Sequence, residues 1–205
     1  MEQNKELTAS ESLALISETL NNSRKDILRS NAKYYVLWGA LLTLFSLLVY
    51  VLWKTTGSAI WNNLWFVMPI LGYSLAACMK KKEDAVRSEN TISRITGGIW
   101  LVFCIFACSV ALFHLLFSLV NTNPIGAIAV GTSLSAQIIL LFGMAETVSG
   151  VALRNRTIRV AGYLTGIGGL AIYYGVGLRE EQMFLFTFAG LVLLVTGLLV
   201  KRQYR

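Results

Sequence analysis

Six apolar runs, at residues 34–53, 60–79, 95–120, 125–147, 158–178 and 183–200, alternate with short polar connections along this chain of 205 residues. Each run is close to the ~20 residues an α-helix needs to cross ~30 Å of hydrocarbon, where only helices and closed barrels satisfy every backbone polar group. The pattern predicts an all-α membrane protein, a six-transmembrane-helix bundle. Residues 1–33 precede it and are polar but periodic. Leu13, Ile16, Leu20 and Ile27 recur at helical spacing, and Thr8 with Glu11 three residues on has the form of a capping box. These features predict a cytoplasmic amphipathic N-terminal helix. Its acids, Glu2, Glu6, Glu11 and Glu18, come first and its bases, Arg24, Lys25, Arg29 and Lys33, come last, an order that complements the helix macrodipole. Residues 201–205 form a short tail.

The cations orient the bundle. Of 18 Lys and Arg residues, only Lys54 and Arg179 lie in the first, third and fifth connections; the rest lie in the N-terminal segment, the second and fourth connections and the C-terminus. Cytoplasmic loops retain Lys and Arg, so both termini are expected to be cytoplasmic and the protein to be a multi-pass component of a cell inner (plasma) membrane. Aromatic residues prefer the two interfaces: Tyr34, Tyr35, Trp38 and Trp100 mark the inner side, and Tyr50, Trp53, Trp61 and Trp65 the outer. Composition agrees, since 55% hydrophobic and 14% charged residues are too apolar a mixture for a soluble domain. The net charge of +7 is absorbed by the inward bias of the loops, so the lipid bilayer is the expected partner and nucleic acid is not. No cleavable signal is expected before the first span. Cys78, Cys104 and Cys108 avoid the outer loops, so no disulfide framework is expected. The outer connections, around Gly57, Pro124 and Glu180, leave no room for an external catalytic or sensor domain.

Candidate chemistry is sparse. On the fourth run, Gly126, Ala129, Ser133, Ala136 and Gln137 share a face. Gln137 lies about 18 Å into the run, where an unpaired amide is costly; Gln137 and Ser133 are therefore the candidate intramembrane polar site. On the fifth run Gly162, Gly166, Gly169 and Tyr173 share a face suited to close helix packing. Glu146, about 31 Å along the fourth run, is expected at the cytoplasmic boundary, paired with Arg94, Arg154 or Arg156. Lys33 before Gly39, Arg94 before Gly97 and Arg159 before Gly162 suggest a weak repeat of three helical hairpins. Cys104 and Cys108 share a face, but His114 points about 80° away, so no metal set follows. No catalytic, cofactor-binding or metal motif is present, and the chain is expected not to be an enzyme.

The segment from Glu11 to Leu42, with Glu11, Leu13, Ile16, Asn22 and Arg24 followed by Tyr34, Tyr35, Trp38 and Gly39, resembles a family of uncharacterised six-span inner-membrane proteins of Bacteroidetes. That resemblance implies a regulatory membrane partner. In its three-hairpin layout the chain is also similar to HdeD-type acid-resistance membrane proteins. Two functions are carried forward. One is a non-enzymatic regulatory or scaffolding protein that engages a cytoplasmic protein or a second copy, with Leu13, Ile16, Leu20 and Ile27 as docking residues. The other is a small transporter or channel built on Gln137 and Ser133.

Overall fold

The computed structural model describes residues 8–81, 91–120, 124–175 and 180–204, and every regular element among them is helical. The order is α1 (Ala9–Thr56), a 3-10 turn (Ala59–Asn63), α2 (Leu64–Lys81), α3 (Thr91–Val120), α4 (Pro124–Ala152), α5 (Arg156–Tyr163), a π turn (Leu164–Gly168), α6 (Gly169–Gly175), a 3-10 turn (Glu180–Gln182) and α7 (Met183–Gln203). Among the described residues, four helical stretches are long and apolar enough to cross a membrane: Ala9–Thr56, Arg94–His114, Leu134–Ala152 and Glu180–Gln203. The other two apolar runs are helical but shorter. One is α2, of 18 residues with Pro69 inside it; the other is divided among α5, the π turn and α6, of 8, 5 and 7 residues.

Residues 1–33 and 34–53 were expected to form separate elements, and here the structure differs. From Ala9 onward both belong to α1, one helix of 48 residues, about 72 Å long at 1.5 Å per residue. The reason is local: the stretch has no proline and Gly39 is its sole glycine. One interior glycine costs only about 1 kcal/mol, and Gly39 sits where a Cβ would overlap the backbone of Gly190 and Leu194. The helix starts at a capping box. Thr8 donates to the Glu11 carboxylate from both its backbone N–H and its hydroxyl, each at 2.8 Å. It stops at Gly57, whose φ of 69° places it in the left-handed region and whose N–H donates to the Trp53 carbonyl at 2.8 Å.

The bundle is organised by two antiparallel pairs. Along α1 and α7, Val36 meets Gly197, Gly39 meets Leu194, and Thr43 meets Gly190. The Ser46 and Thr187 hydroxyls are hydrogen-bonded at 2.8 Å, and Tyr50 lies 4.7 Å from Phe184 between ring centroids. Small residues on this seam let the backbones approach, the main source of helix association where lipid removes the hydrophobic drive. The second pair is α4 with α5, joined by a three-residue turn. Leu153 and Asn155 donate backbone N–H groups to the Ser149 and Gly150 carbonyls, both at 2.9 Å, and the Asn155 side chain accepts from Ile158 N–H at 3.0 Å to cap α5. One buried cluster gathers Ile27, Leu28, Tyr35, Leu153, Ile158 and Val200; a second gathers Leu42, Ile139, Leu185 and Ala189. The peripheral α2 is held by Trp38 against Gly72 and Tyr73, and α3 by Trp100 and Phe103 around Phe142. Phe66, Ile70, Leu101, Phe106 and Phe113 are exposed there, an outer surface suited to an apolar solvent rather than to water.

Candidate functional site

The inward face of α4 is legible from burial. Ile139, Gly143, Glu146, Ser149 and Gly150 are buried at three- and four-residue steps, whereas Gln137, Leu140, Met144, Val148 and Val151 form the exposed stripe. Gln137 therefore lies on the outside of the bundle, not on an interior polar face as expected. The Ser133 side chain lies outside the described ones. The inward polar contact nearby is made by Ser135, which donates to Gln182 Oε1 at 3.0 Å, with Gln182 buried at the start of α7.

The second difference concerns Glu146. It is 0% exposed and no arginine among the described residues pairs with it; Arg154 instead sits exposed at φ 50° in the turn after α4. The expected pairing with an arginine took the end of the fourth run to be an edge of the protein as well. At the level of Glu146, α1 continues past the end of its apolar run and α4 itself goes on to Ala152, so the carboxyl is surrounded by protein.

What surrounds it is polar. Thr165, in the π turn and fully buried, donates its hydroxyl to Glu146 Oε2 at 3.0 Å. Glu146 Oε1 has no hydrogen-bond partner. One helical turn on, Ser149 is fully buried and its Oγ also has none. On α1, Tyr35 is 8% exposed and its hydroxyl is likewise without a partner. Each buried polar atom left unmatched costs about 1–3 kcal/mol, more if charged, so natural folds keep few of them. The π turn is part of the geometry: inserting a residue into the α5–α6 helical path shifts its register, and such turns recur at functional sites.

The remaining candidates are dispersed. Gly162 and Gly166 pack against Gly143 and Thr147 of α4, and Gly169 against Ile139. Gly39 and Gly162 are tightly packed while a Cβ at Gly97 would meet open space, so the three supposed hairpin glycines are not equivalent. Leu13, Ile16 and Leu20 are exposed on α1, but Ile27 is 1% exposed and belongs to the core. His114 Nδ1 is 2.8 Å from the Val110 carbonyl of its own helix. Cys104 lies 3.9 Å from the Tyr73 hydroxyl, and Cys78 and Cys108 are exposed; all three are free thiols. Among the described residues no three His, Cys, Asp or Glu side chains converge. An open, apolar groove of about 780 Å³ runs between α5 and α7, past Val160, Leu164, Phe188 and Val195. Gly143, Glu146, Ser149 and Gly150 share a face by their spacing, but spacing does not say which face is inward, and the expectation followed the more conspicuous Gln137.

Comparison with protein-family models, curated proteins and solved structures finds no match.

Proposed function

We propose that this chain is a six-span protein of a bacterial inner membrane, with both termini cytoplasmic, and that it is a non-enzymatic regulatory or scaffolding partner acting through the inner end of α1. One observation carries the proposal. The helix is unbroken across Lys33 and Tyr34, so residues 9–26 prolong the axis of the first span and stand away from the membrane instead of lying along it. On that extension Leu13, Ile16 and Leu20 are 68%, 56% and 40% exposed, a row of apolar anchors at the spacing by which an amphipathic helix enters a groove or pairs with a second helix. Exposed apolar rows of this kind on a surface surrounded by water mark interaction sites.

A photo-crosslinking residue at Ile16 tests this in cells. It is expected to yield an adduct with a cytoplasmic protein or with a second copy of the chain, and the adduct is expected to disappear when Leu13 and Leu20 are both replaced by glutamate. Adducts with lipid alone would instead place the extension on the membrane surface and defeat the proposal. Substitution suits this better than deletion through residue 30, which would remove Ile27 and Leu28 from the core.

A further inference from the structure

A cavity of about 220 Å³ lies where three distant parts of the chain meet: α1 at Asn21, Arg24, Lys25 and Leu28, the α4–α5 turn at Leu153 and Arg154, and Tyr204 just past α7. Three of its seven lining residues are cationic and none is acidic. We propose that this cavity is a binding site for a phosphate group, presented either as free phosphate or a small phosphate ester in solution, or as the headgroup of an anionic lipid.

Helical spacing and core packing bring these residues to one place. Positions 21, 24, 25 and 28 follow the three- and four-residue steps of one helix face. Leu28 and Leu153, each 2% exposed, fix that face to the turn within the buried cluster on which Tyr204 also packs. The floor of the cavity is therefore apolar and its charge comes from Arg24, Lys25 and Arg154. Arg24 is not a freely solvated cation: its Nη1 donates to Asn21 Oδ1 at 3.2 Å, and its Nε is buried without a partner, a costly state for a charged donor unless a ligand oxygen completes it. Arg154 has φ 50°, at a helix end where glycine or asparagine is usual, so an arginine holds this position against a backbone cost that glycine would not incur. The Tyr204 hydroxyl accepts from Asn155 Nδ2 at 3.4 Å and keeps its own proton for an acceptor. Charge, shape and size then select the ligand. Guanidinium groups match phosphate oxygens in pairs, and a phosphate ester carries about −1.5 to −2 at neutral pH, which suits three cations better than the single charge of a carboxylate does. Drug-sized ligands occupy about 300–1,000 Å³, so the smaller cavity here holds the phosphate group and little of what it is attached to. A bound phosphate would tie residues 21–28 of α1 to the α4–α5 turn and to the end of α7. The site uses none of the exposed docking residues Leu13, Ile16 and Leu20, so it stands or falls apart from them.

The test uses the full chain in a maltoside detergent, which carries no phosphate, with thermal unfolding followed by tryptophan fluorescence. In one arm sodium phosphate replaces sodium chloride at constant pH and ionic strength; in the other a short-chain phosphatidic acid is added, with the matching diacylglycerol as control. A ligand that binds only the folded state raises the midpoint with the logarithm of its concentration once that exceeds Kd. A rise with phosphate is expected if the group comes from solution, and a rise confined to phosphatidic acid if it comes from lipid; either supports the site. Arg24→Gln, Lys25→Gln and Arg154→Gly are each expected to raise the ligand concentration required by about tenfold or more, the loss of a charge-assisted hydrogen bond. Arg29→Gln, which removes the same charge from α1 outside the cavity, should leave the response unchanged. Without ligand, Arg154→Gly is expected to unfold at or above the wild-type temperature, the opposite of what loss of a structural residue gives. If Arg24→Gln does not fold, the variants at the exposed Lys25 and Arg154 decide alone. A midpoint indifferent to both ligands would overturn the site. So would a response unaltered by the three cavity variants, one lost equally in Arg29→Gln, or an unliganded Arg154→Gly less stable than the wild type.

Discussion

Gln137 and Glu146 lie nine residues apart on α4 and have opposite surroundings, one exposed and one fully buried. Nine residues amount to 900° at 100° per residue, half a turn beyond two full turns, so the two could never share a face. The polarity of each residue was legible in the sequence; which of the two faced inward depended on the partners, and those come from α1 and the π turn, far away in the chain. This makes a direct comparison possible. Gln137→Leu is expected to leave the thermal midpoint of the purified protein unchanged, within about 0.5 kcal/mol, whereas Ser135→Ala should lower stability by about 1 kcal/mol through the lost bond to Gln182. Equal effects would mean that the helix is rotated. At the start of α1, the backbone N–H of Thr8, and then its hydroxyl, hold the Glu11 carboxyl below the usual carboxylate range. A carboxyl whose value is lowered by folding contributes stability above its unfolded value, about 4.3, and loses it as pH falls through the folded one. Amide-exchange protection of the first turn, corrected for intrinsic rates, is therefore expected to be flat from about pH 8 to 5 and to decline below about pH 4. In Glu11→Gln that decline should vanish.

Among the elements, glycine has two different uses that composition does not separate. Gly190 faces Thr43 and the Gly39 carbonyl across the α1–α7 seam, and a Cβ there would overlap both; a Cβ at Gly97 on α3 would meet nothing within 4 Å. Gly190→Ala is expected to cost at least about 1–3 kcal/mol by overpacking. Gly97→Ala, on an open helix surface, should stabilise by about 0.5–1 kcal/mol through helix propensity. Thermal midpoints moving in opposite directions would check both, and a fall for each would mean that α3 packs more closely than described. Helix positions were readable because apolar runs of this length admit few alternatives in lipid. The division of the fifth run by a π turn was not, since that turn answers to contacts of Thr165 and Gly169 with α4, which no local pattern encodes. Nor was the fusion of the N-terminal segment with the first run. A change from polar to apolar residues signals a change of surroundings, and a helix can cross it without interruption.

For the molecule as a whole, orientation rests on the distribution of lysine and arginine. In a variant with Cys78, Cys104 and Cys108 replaced by alanine, a cysteine at Ser58 is expected to react with a membrane-impermeant thiol reagent in intact cells, and one at Ser10 only after lysis. The reverse labelling would invert the topology, and labelling of both sites from outside would remove it. The same arrangement has a mechanical consequence. In the proposed topology the unbroken helix extends about 30 Å from Lys33 to Leu13, so tilting the first span by about 10° would carry Leu13 sideways by about 5 Å. A small rearrangement among the packed helices would thus reach the N-terminal end of α1 magnified as a swing of its tip, and the stiffness of a single uninterrupted rod is what would keep that displacement from being absorbed along the way.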